Sequence, residues 1–398
     1  MRLLGRICVA LLLAVISTAA RALQSAPSPA GPGSFAPFLT TDRQGRILLS
    51  WLENRVDGGH RFRFARRSDG GEWSPPLTIG EGPDFFANWA DVPSVFVATN
   101  GTMVAHWLQK RGEGPESYDI KIRTSTDNGA TWSPARSPHR DSVEAQHGFV
   151  SFFDVPDGIG LVWLDGRDMN GHGGSMTLRS TTLTGWKLDA LGNEVVIDPR
   201  VCDCCPTAAA VSGEGPIVAY RDRSADEVRD IAVSRWVRSV WSPPTLVHAD
   251  RWKINACPVN GPAIAARGTR VAVAWHTGLS SRDSQVNVAF SSDAGRTFGQ
   301  PVRLDGGAPI GRVGLAMIDD QRLAATWLET AGGVTRVLMR TVDRNGLLGP
   351  SVPVAAVGNS RQTGLPRVTV AGRKLLFAWT AAEPSAPTHV VIKEVDIQ

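Results

Sequence analysis

Two cysteine-bearing segments are the first places where this chain could do chemistry: Cys202-Asp203-Cys204-Cys205-Pro206 and Cys257-Pro258-Val259-Asn260-Gly261-Pro262. Four cysteines in an exported chain pair as disulfides. Several pairings are open, and Cys205 with Cys257 is the most natural staple between neighbouring structural units. Two sharper chemistries compete with that reading. Thiolates of Cys204, Cys205 and Cys257 clustered with His147 would suit copper(I) or zinc, although the Cys-x-Cys-Cys spacing departs from the usual zinc knuckle. A redox-active dithiol is the other. No cofactor is expected on the disulfide reading; copper or zinc is expected on the metal reading.

Carboxylates at Glu53, Asp57 and Asp91, with Asp165 and Asp168, offer a general acid and base for glycoside cleavage. Arg55, Arg221, Arg312 and Arg361 offer guanidinium forks that match a carboxylate. His147 and Asn260 stand close enough in the pattern to join them as ligand contacts. The segment from Asp165 to Gly174 (DGRDMNGHGG) reads as a glycine-rich connection between strands, with a ligand or cation loop as the alternative.

A repeat positions all of these residues. Seven apolar strands each end on an aromatic followed by polar residues: ILLSWLENR, MVAHWLQKR, GLVWLDGR, IVAYRDR, VAVAWHTG, LAATWLET and LLFAWTAA. Their anchors, Trp51, Trp107, Trp163, Tyr220, Trp275, Trp327 and Trp379, recur every 52 to 57 residues. A period of this length without helical periodicity is that of a radial repeat. The chain is therefore expected to be an all-β β-propeller of four-stranded antiparallel blades, with seven units over residues 35–398. The seventh unit stops after its third strand. Its missing partner would have to come from residues 23–34, a Pro/Ser-rich linker whose prolines make a poor strand, so six blades plus an accessory unit is the alternative count. In a meander blade the start of the first strand and the end of the second share one edge. That edge, a funnel over the axis, collects the candidate residues.

Residues 1–22 read as a cleavable leader, with Arg2 and Arg6 before a short apolar core and a small-x-small site at Ala20-Arg21-Ala22. Cys8 would leave with it, and the mature chain is expected to be periplasmic or secreted. Loss of Arg2, Arg6 and Arg21 takes the formal charge from +4 to +1, so the composition calls for no nucleic-acid partner. No later apolar run reaches membrane-spanning length. A carbohydrate or small anionic ligand and a monomeric state are the expectations.

Between the third and fourth strands of some units lies a Ser-x-Asp-x-Gly-x-Thr-aromatic turn. It is complete at Ser125, Asp127, Gly129 and Trp132, and at Ser291, Asp293, Gly295 and Phe298; a shortened copy spans residues 68–73 and a trace survives at Val240-Trp241-Ser242-Pro243. The aspartate accepts backbone N–H groups across the turn and the glycine takes a conformation that other residues avoid. With these turns the chain resembles the sialidase superfamily of Asp-box propellers. The resemblance implies an exo-sialidase-like glycoside hydrolase: three arginines for an acidic sugar, a tyrosine nucleophile activated by a glutamate, and an aspartate acid/base. The family's Arg-Ile-Pro falls at Ser34-Phe35-Ala36-Pro37, where the proline is present and the arginine is not. Tyr118 is the candidate nucleophile, because Tyr220 occupies an anchor position. The resemblance thus implies an exported propeller that binds a glycan or other anionic ligand in its funnel, with hydrolysis as a further activity but not by the ordinary sialidase route. A redox or soft-metal propeller and a non-catalytic, disulfide-stapled scaffold are the other two readings.

Overall fold

A computed structural model describes residues 23–397, apart from 43, 69–70, 170–173, 281–282, 359 and 384–385. The expected leader with Cys8, Asp69-Gly70 of the shortened turn, and His172 lie outside the described residues.

The fold is a seven-bladed β-propeller of antiparallel sheets. Blade 1 shows the plan: Ser34–Thr41 along the axis, Ile47–Asn54, His60–Arg67 and Leu77–Gly82 stepping outward. Blade 2 has three strands, with Arg136 bridging to Ile122 on its outer side. In blades 3 and 4 the outer position is divided between two short segments.

The second strand of each blade is the most deeply buried. Ile47–Asn54 is closed to solvent over its first six residues, because neighbouring blades cover both faces. That is why these strands read as continuous apolar runs instead of alternating. The core divides into seven clusters, one per seam between blades, and each seam holds one anchor aromatic: Trp51 between blades 7 and 1, Trp107 between 1 and 2, and so on to Trp379 between 6 and 7. A buried indole or phenol still needs a partner for its polar tip. Trp51 Nε1 donates to Glu53 Oε1 at 2.7 Å, Trp163 Nε1 to Asp165 Oδ2 at 2.7 Å and Trp327 Nε1 to Glu329 Oε2 at 2.8 Å. Residues two apart in a strand share a face, so the Trp-x-acid pattern is a structural pair. Tyr220 and Trp275 instead find Asp198 (2.9 Å) and Asp250 (2.6 Å) on incoming segments.

The ring closes where a poor strand was expected. Gln24–Ala26 pairs with His389–Asp396 as the outer strand of blade 7, in the register Gln24↔Glu394, Ser25↔Lys393 and Ala26↔Ile392. The strand ends just before Pro27, so the prolines fall outside it and cost no ladder bonds. Polar ties reinforce the seam, among them Arg67 Nη2 to Glu394 Oε2 (2.7 Å) and Val390 N to Ser34 Oγ (2.9 Å).

On the opposite edge the two complete Ser-x-Asp-x-Gly-x-Thr turns fold alike. Asp127 Oδ1 accepts from Ser125 Oγ (2.8 Å) and Thr131 N (2.9 Å), and Asp293 Oδ1 from Ser291 Oγ (2.7 Å) and Thr297 N (3.0 Å). Gly129 and Gly295 both sit at φ 82°. Trp132 and Phe298 pack against the cores behind them.

Candidate functional site

The first strands of all seven blades enclose an axial cavity of about 320 Å3. Its wall carries only three charged side chains among the described residues: Asp91, Arg312 and Arg367. Arg312 lies with its guanidinium 4.5 Å above the Trp89 ring and donates to the carbonyl of Gly364 at 3.0 Å. Arg367 lies 4.6 Å above Phe38. Among the described residues neither arginine has an ion-pair partner, and burial pulls each guanidinium down to about 10, with Arg361 adding repulsion at Arg312. Both stay charged at neutral pH.

Asp91 is 1 % exposed and its Oδ2 accepts the N–H of Phe149 at 2.8 Å. Burial pushes its carboxyl up to about 7, against the opposing pull of that hydrogen bond. Tyr118 lies behind the wall, stacked on Phe86 with centroids 4.1 Å apart; burial, and then the Asp91 charge, push its hydroxyl upward. Gly148 is what lets them meet. A Cβ there would fall 1.9 Å from Asp91 Oδ2 and 3.0 Å from the Tyr118 ring.

The remaining candidates are placed elsewhere. Glu53 holds the Trp51 indole and Arg63. Asp57 is exposed and pairs with Arg55, which also faces Glu81. Arg221 is buried and given over to backbone carbonyls, those of Asn260 (2.8 Å), His276 (2.7 Å) and Arg229 (2.6 Å). Asn260 ties blade 5 to blade 6. Arg361 is exposed and approaches the site through its charge on Arg312. Asp168 pairs with Arg179 at 2.6 Å.

His147 faces carboxylates and a second histidine. Its ring stacks on His139 with centroids 4.0 Å apart, and its Nε2 is 3.3 Å from Asp141 and 3.6 Å from Asp165. Asp119, His139 and His147, and likewise Asp141, His147 and Asp165, converge closely enough to hold a metal ion. Their oxygens are already engaged, however. Arg167 reaches Asp165 (2.6 Å), Asp141 (3.0 Å) and Glu194 (2.9 Å), and His139 Nδ1 reaches Asp141 (2.9 Å). Burial works upward on Asp165, but Arg167 and His147 outweigh it and hold the carboxyl below its ordinary value. The set is a balanced charge network.

Cys204, not Cys205, is bonded to Cys257. The chain turns at Asp203 and Cys204, which brings Cys202 and Cys205 together, buried and free, and leaves Cys204 toward the blade 5 segment.

Arg367 and His139 escaped the reading of the sequence. Arg367 follows Pro366 at the start of its blade as Phe38 follows Pro37 and Thr207 follows Pro206, so alignment on the blade-opening prolines would have put it on the axis. His139 sits in a link between blades, where no such ruler applies.

No family model matches this chain, and no curated protein matches it in sequence. Among solved structures, a protein of unknown function from Dyadobacter fermentans aligns with TM-score 0.55 at 13% identity over 92% of this chain and 95% of that one. The polysaccharide lyase Uly1 aligns with TM-score 0.57 at 10% identity over 92% and 90%. The phage phi92 endosialidase aligns with TM-score 0.50 at 9% identity, over 95% of this chain and 69% of that one. At such identities the likeness is one of fold, and glycan-processing enzymes are among the proteins that share it.

Proposed function

We propose that this chain is an exported, sialidase-like propeller that binds an acidic glycan in its axial cavity. One observation carries the reading: Arg312 and Arg367 stand on the cavity wall with aromatic faces behind them and, among the described residues, no carboxylate paired to either, Asp91 being the single acid on the same wall. A buried cation without a counter-ion is costly, and a ligand carboxylate would supply the missing charge through paired N–H donors. The cavity is at the small end of small-molecule sites, which suits one terminal sugar. Glycan-processing propellers of the same fold support the ligand class.

Turnover by a pair of carboxyls is not part of the proposal. Asp91 is the single carboxyl on the wall among the described residues, whereas glycoside cleavage of the usual kind needs two. Tyr118 lies behind the wall and not on it. A chromogenic sialoside is therefore expected to release no measurable product, and Tyr118→Phe to leave that result unchanged. The leader motivates the periplasmic or secreted location, which N-terminal sequencing of the exported fraction tests. The monomeric state is tested by light scattering.

The binding test is calorimetric titration with N-acetylneuraminate, glucuronate and neutral glucose at low and high salt. The acidic sugars should bind and weaken with salt. Arg312→Gln and Arg367→Gln should each cost about 1.5 to 3 kcal/mol, as for a hydrogen bond to a charged group. Equal binding of glucose and the acids, or acid binding that survives both substitutions, would overturn the reading.

A further inference from the structure

Four sulfurs gather where the chain enters blades 4 and 5. The Cys204–Cys257 disulfide spans the two entering segments, with Cα atoms 6.0 Å apart and Cys257 exposed. Beneath it, Cys202 and Cys205 form a Cys-x-x-Cys pair, buried and free, with Sγ atoms 2.7 Å apart. Cys202 Sγ is also 4.0 Å from Cys204 Sγ and receives Arg229 Nη1 at 3.4 Å.

The surroundings divide the labour between the two thiols. The hydrogen bond from Cys205 pulls the Cys202 thiol down to about 6; burial opposes this, and the charges of Arg221 and Arg229 assist. Burial and the neighbouring Cys202 push the Cys205 thiol up. The Arg229 guanidinium against Cys202 Sγ favours thiolate character there, with Cys205 the more protonated partner. A thiolate is the attacking form in exchange chemistry, and this sulfur lies 4.0 Å from a disulfide sulfur. Cys202, Cys204 and Cys205 also lie close enough together to hold a metal ion, but Cys204 could serve as a thiolate ligand only after its bond to Cys257 was reduced.

We propose that these four cysteines form a thiol–disulfide exchange centre that carries the electron pair of the buried Cys202/Cys205 dithiol to the exposed Cys257. In the first step Cys202 Sγ attacks Cys204 Sγ; the Cys202–Cys204 bond forms, the Cys204–Cys257 bond breaks, and Cys257 leaves as thiolate. Next, Cys205 gives up its proton and attacks Cys202 Sγ, forming Cys202–Cys205 and releasing Cys204 as thiolate. The Cys205 proton ends on Cys204 or Cys257. The dithiol is oxidised and the former disulfide is reduced by the same two electrons, so no outside reagent enters. Cys257 is then the contact point for a disulfide on another molecule. This inference is independent of the glycan proposal, since it uses none of the cavity residues.

The test first oxidises the full-length mature chain to two disulfides, returns it to two free thiols with one equivalent of dithiothreitol, labels it natively with a small maleimide, and maps peptides by mass spectrometry. Exchange predicts label on Cys257 together with a Cys202–Cys205 disulfide. Cys202→Ser should reduce native Cys257 labelling about tenfold. Cys205→Ser keeps the nucleophile but removes the resolving thiol, so it should accumulate a Cys202–Cys204 bond with Cys257 labelled. If Cys202→Ser fails to fold, this trapped intermediate carries the test by itself. Label confined to Cys202 and Cys205, with Cys204–Cys257 intact in the wild type, would overturn the proposal. So would stoichiometric zinc capture by the fully reduced chain, which would assign the cluster to metal binding.

Discussion

Two seams of the ring are latched by the same geometry built from different atoms. Between blades 2 and 3, Asp91 Oδ2 accepts the N–H of Phe149 at 2.8 Å; between blades 5 and 6, Asn260 Oδ1 accepts the N–H of Arg312 at 2.8 Å. Both donors, Phe149 and Arg312, have positive φ, 56° and 55°. Both follow a glycine, because the latch oxygen occupies the space a side chain would need: a Cβ on Gly148 would lie 1.9 Å from Asp91 Oδ2, and one on Gly311 would lie 2.4 Å from Asn260 Oδ1. At the closing seam Ala36, also at positive φ (52°) but preceded by Phe35 instead of glycine, donates its N–H to Thr380 Oγ1 at 3.1 Å. The difference lies in charge. Asn260 is neutral and donates its amide to the carbonyls of Ile310 and Pro258 at 3.1 and 3.3 Å, so nothing in that latch responds to pH. Asp91 must lose its charge to sit comfortably where Asn260 already does, and it lines the cavity. One seam is blind to pH and its counterpart is not.

The strongest way to break the comparison is to fill the shared space. Gly311→Ala should destabilise by about 3 kcal/mol, since it combines a clash with a backbone at φ 92° that alanine resists. Gly148→Ala should cost slightly less; urea midpoints at constant slope measure both. Asn260→Ala leaves the Arg312 N–H without its acceptor and should cost about 2 kcal/mol, while also loosening the arginine that faces the cavity. Calorimetry should then show weaker binding of acidic sugars alongside the lower midpoint.

Asp91→Asn sharpens the comparison by copying one latch into the other. The folded carboxyl titrates near 7 and the unfolded one near 3.9, so the folded state binds more protons between those values. Wild-type stability should therefore be full below pH 4 and fall as pH rises toward and through 7. Asp91→Asn should remove that decline, with a gain of up to about 4 kcal/mol at pH 8 and no gain at pH 4. Melts across this range check it; a variant that parallels the wild type at every pH would mean that Asp91 titrates normally. The smallest effect is expected from Asn260→Asp, which should introduce a weaker decline of about 1 kcal/mol, because the Arg221 guanidinium lies against the Asn260 backbone carbonyl.

The architecture was legible because its signals are local. An anchor strand covered on both sides must be apolar throughout, and the Ser-x-Asp-x-Gly-x-Thr turn makes its bonds within a few residues, so both are written in short stretches of chain. The ligand cavity was only partly legible. Where an arginine ends up depends on what faces it from another blade: Arg221 and Arg312 look alike in sequence and both lie over a tryptophan ring and donate to backbone carbonyls, yet only Arg312 lines the cavity. Glu53, Asp165 and Glu329 carried their signal in view as Trp-x-acid pairs, and that signal pointed to indole partners, not to catalysis. The meeting of Asp91 with Tyr118 was out of reach, since it depends on a missing side chain at Gly148 in a third strand.

The short strand at residues 24–26 has a kinetic meaning as well as a geometric one. It is the first described segment to be synthesised, and its partner, His389–Asp396, is the last. Until both exist the molecule is an open arc, with its final blade presenting an unpaired edge of the kind that recruits foreign strands. Ring closure is therefore the terminal step of assembly, and it is a long-range pairing that cannot be hurried by local structure. The same three residues that complete the last sheet also set the interval during which the newborn chain is open to mispairing.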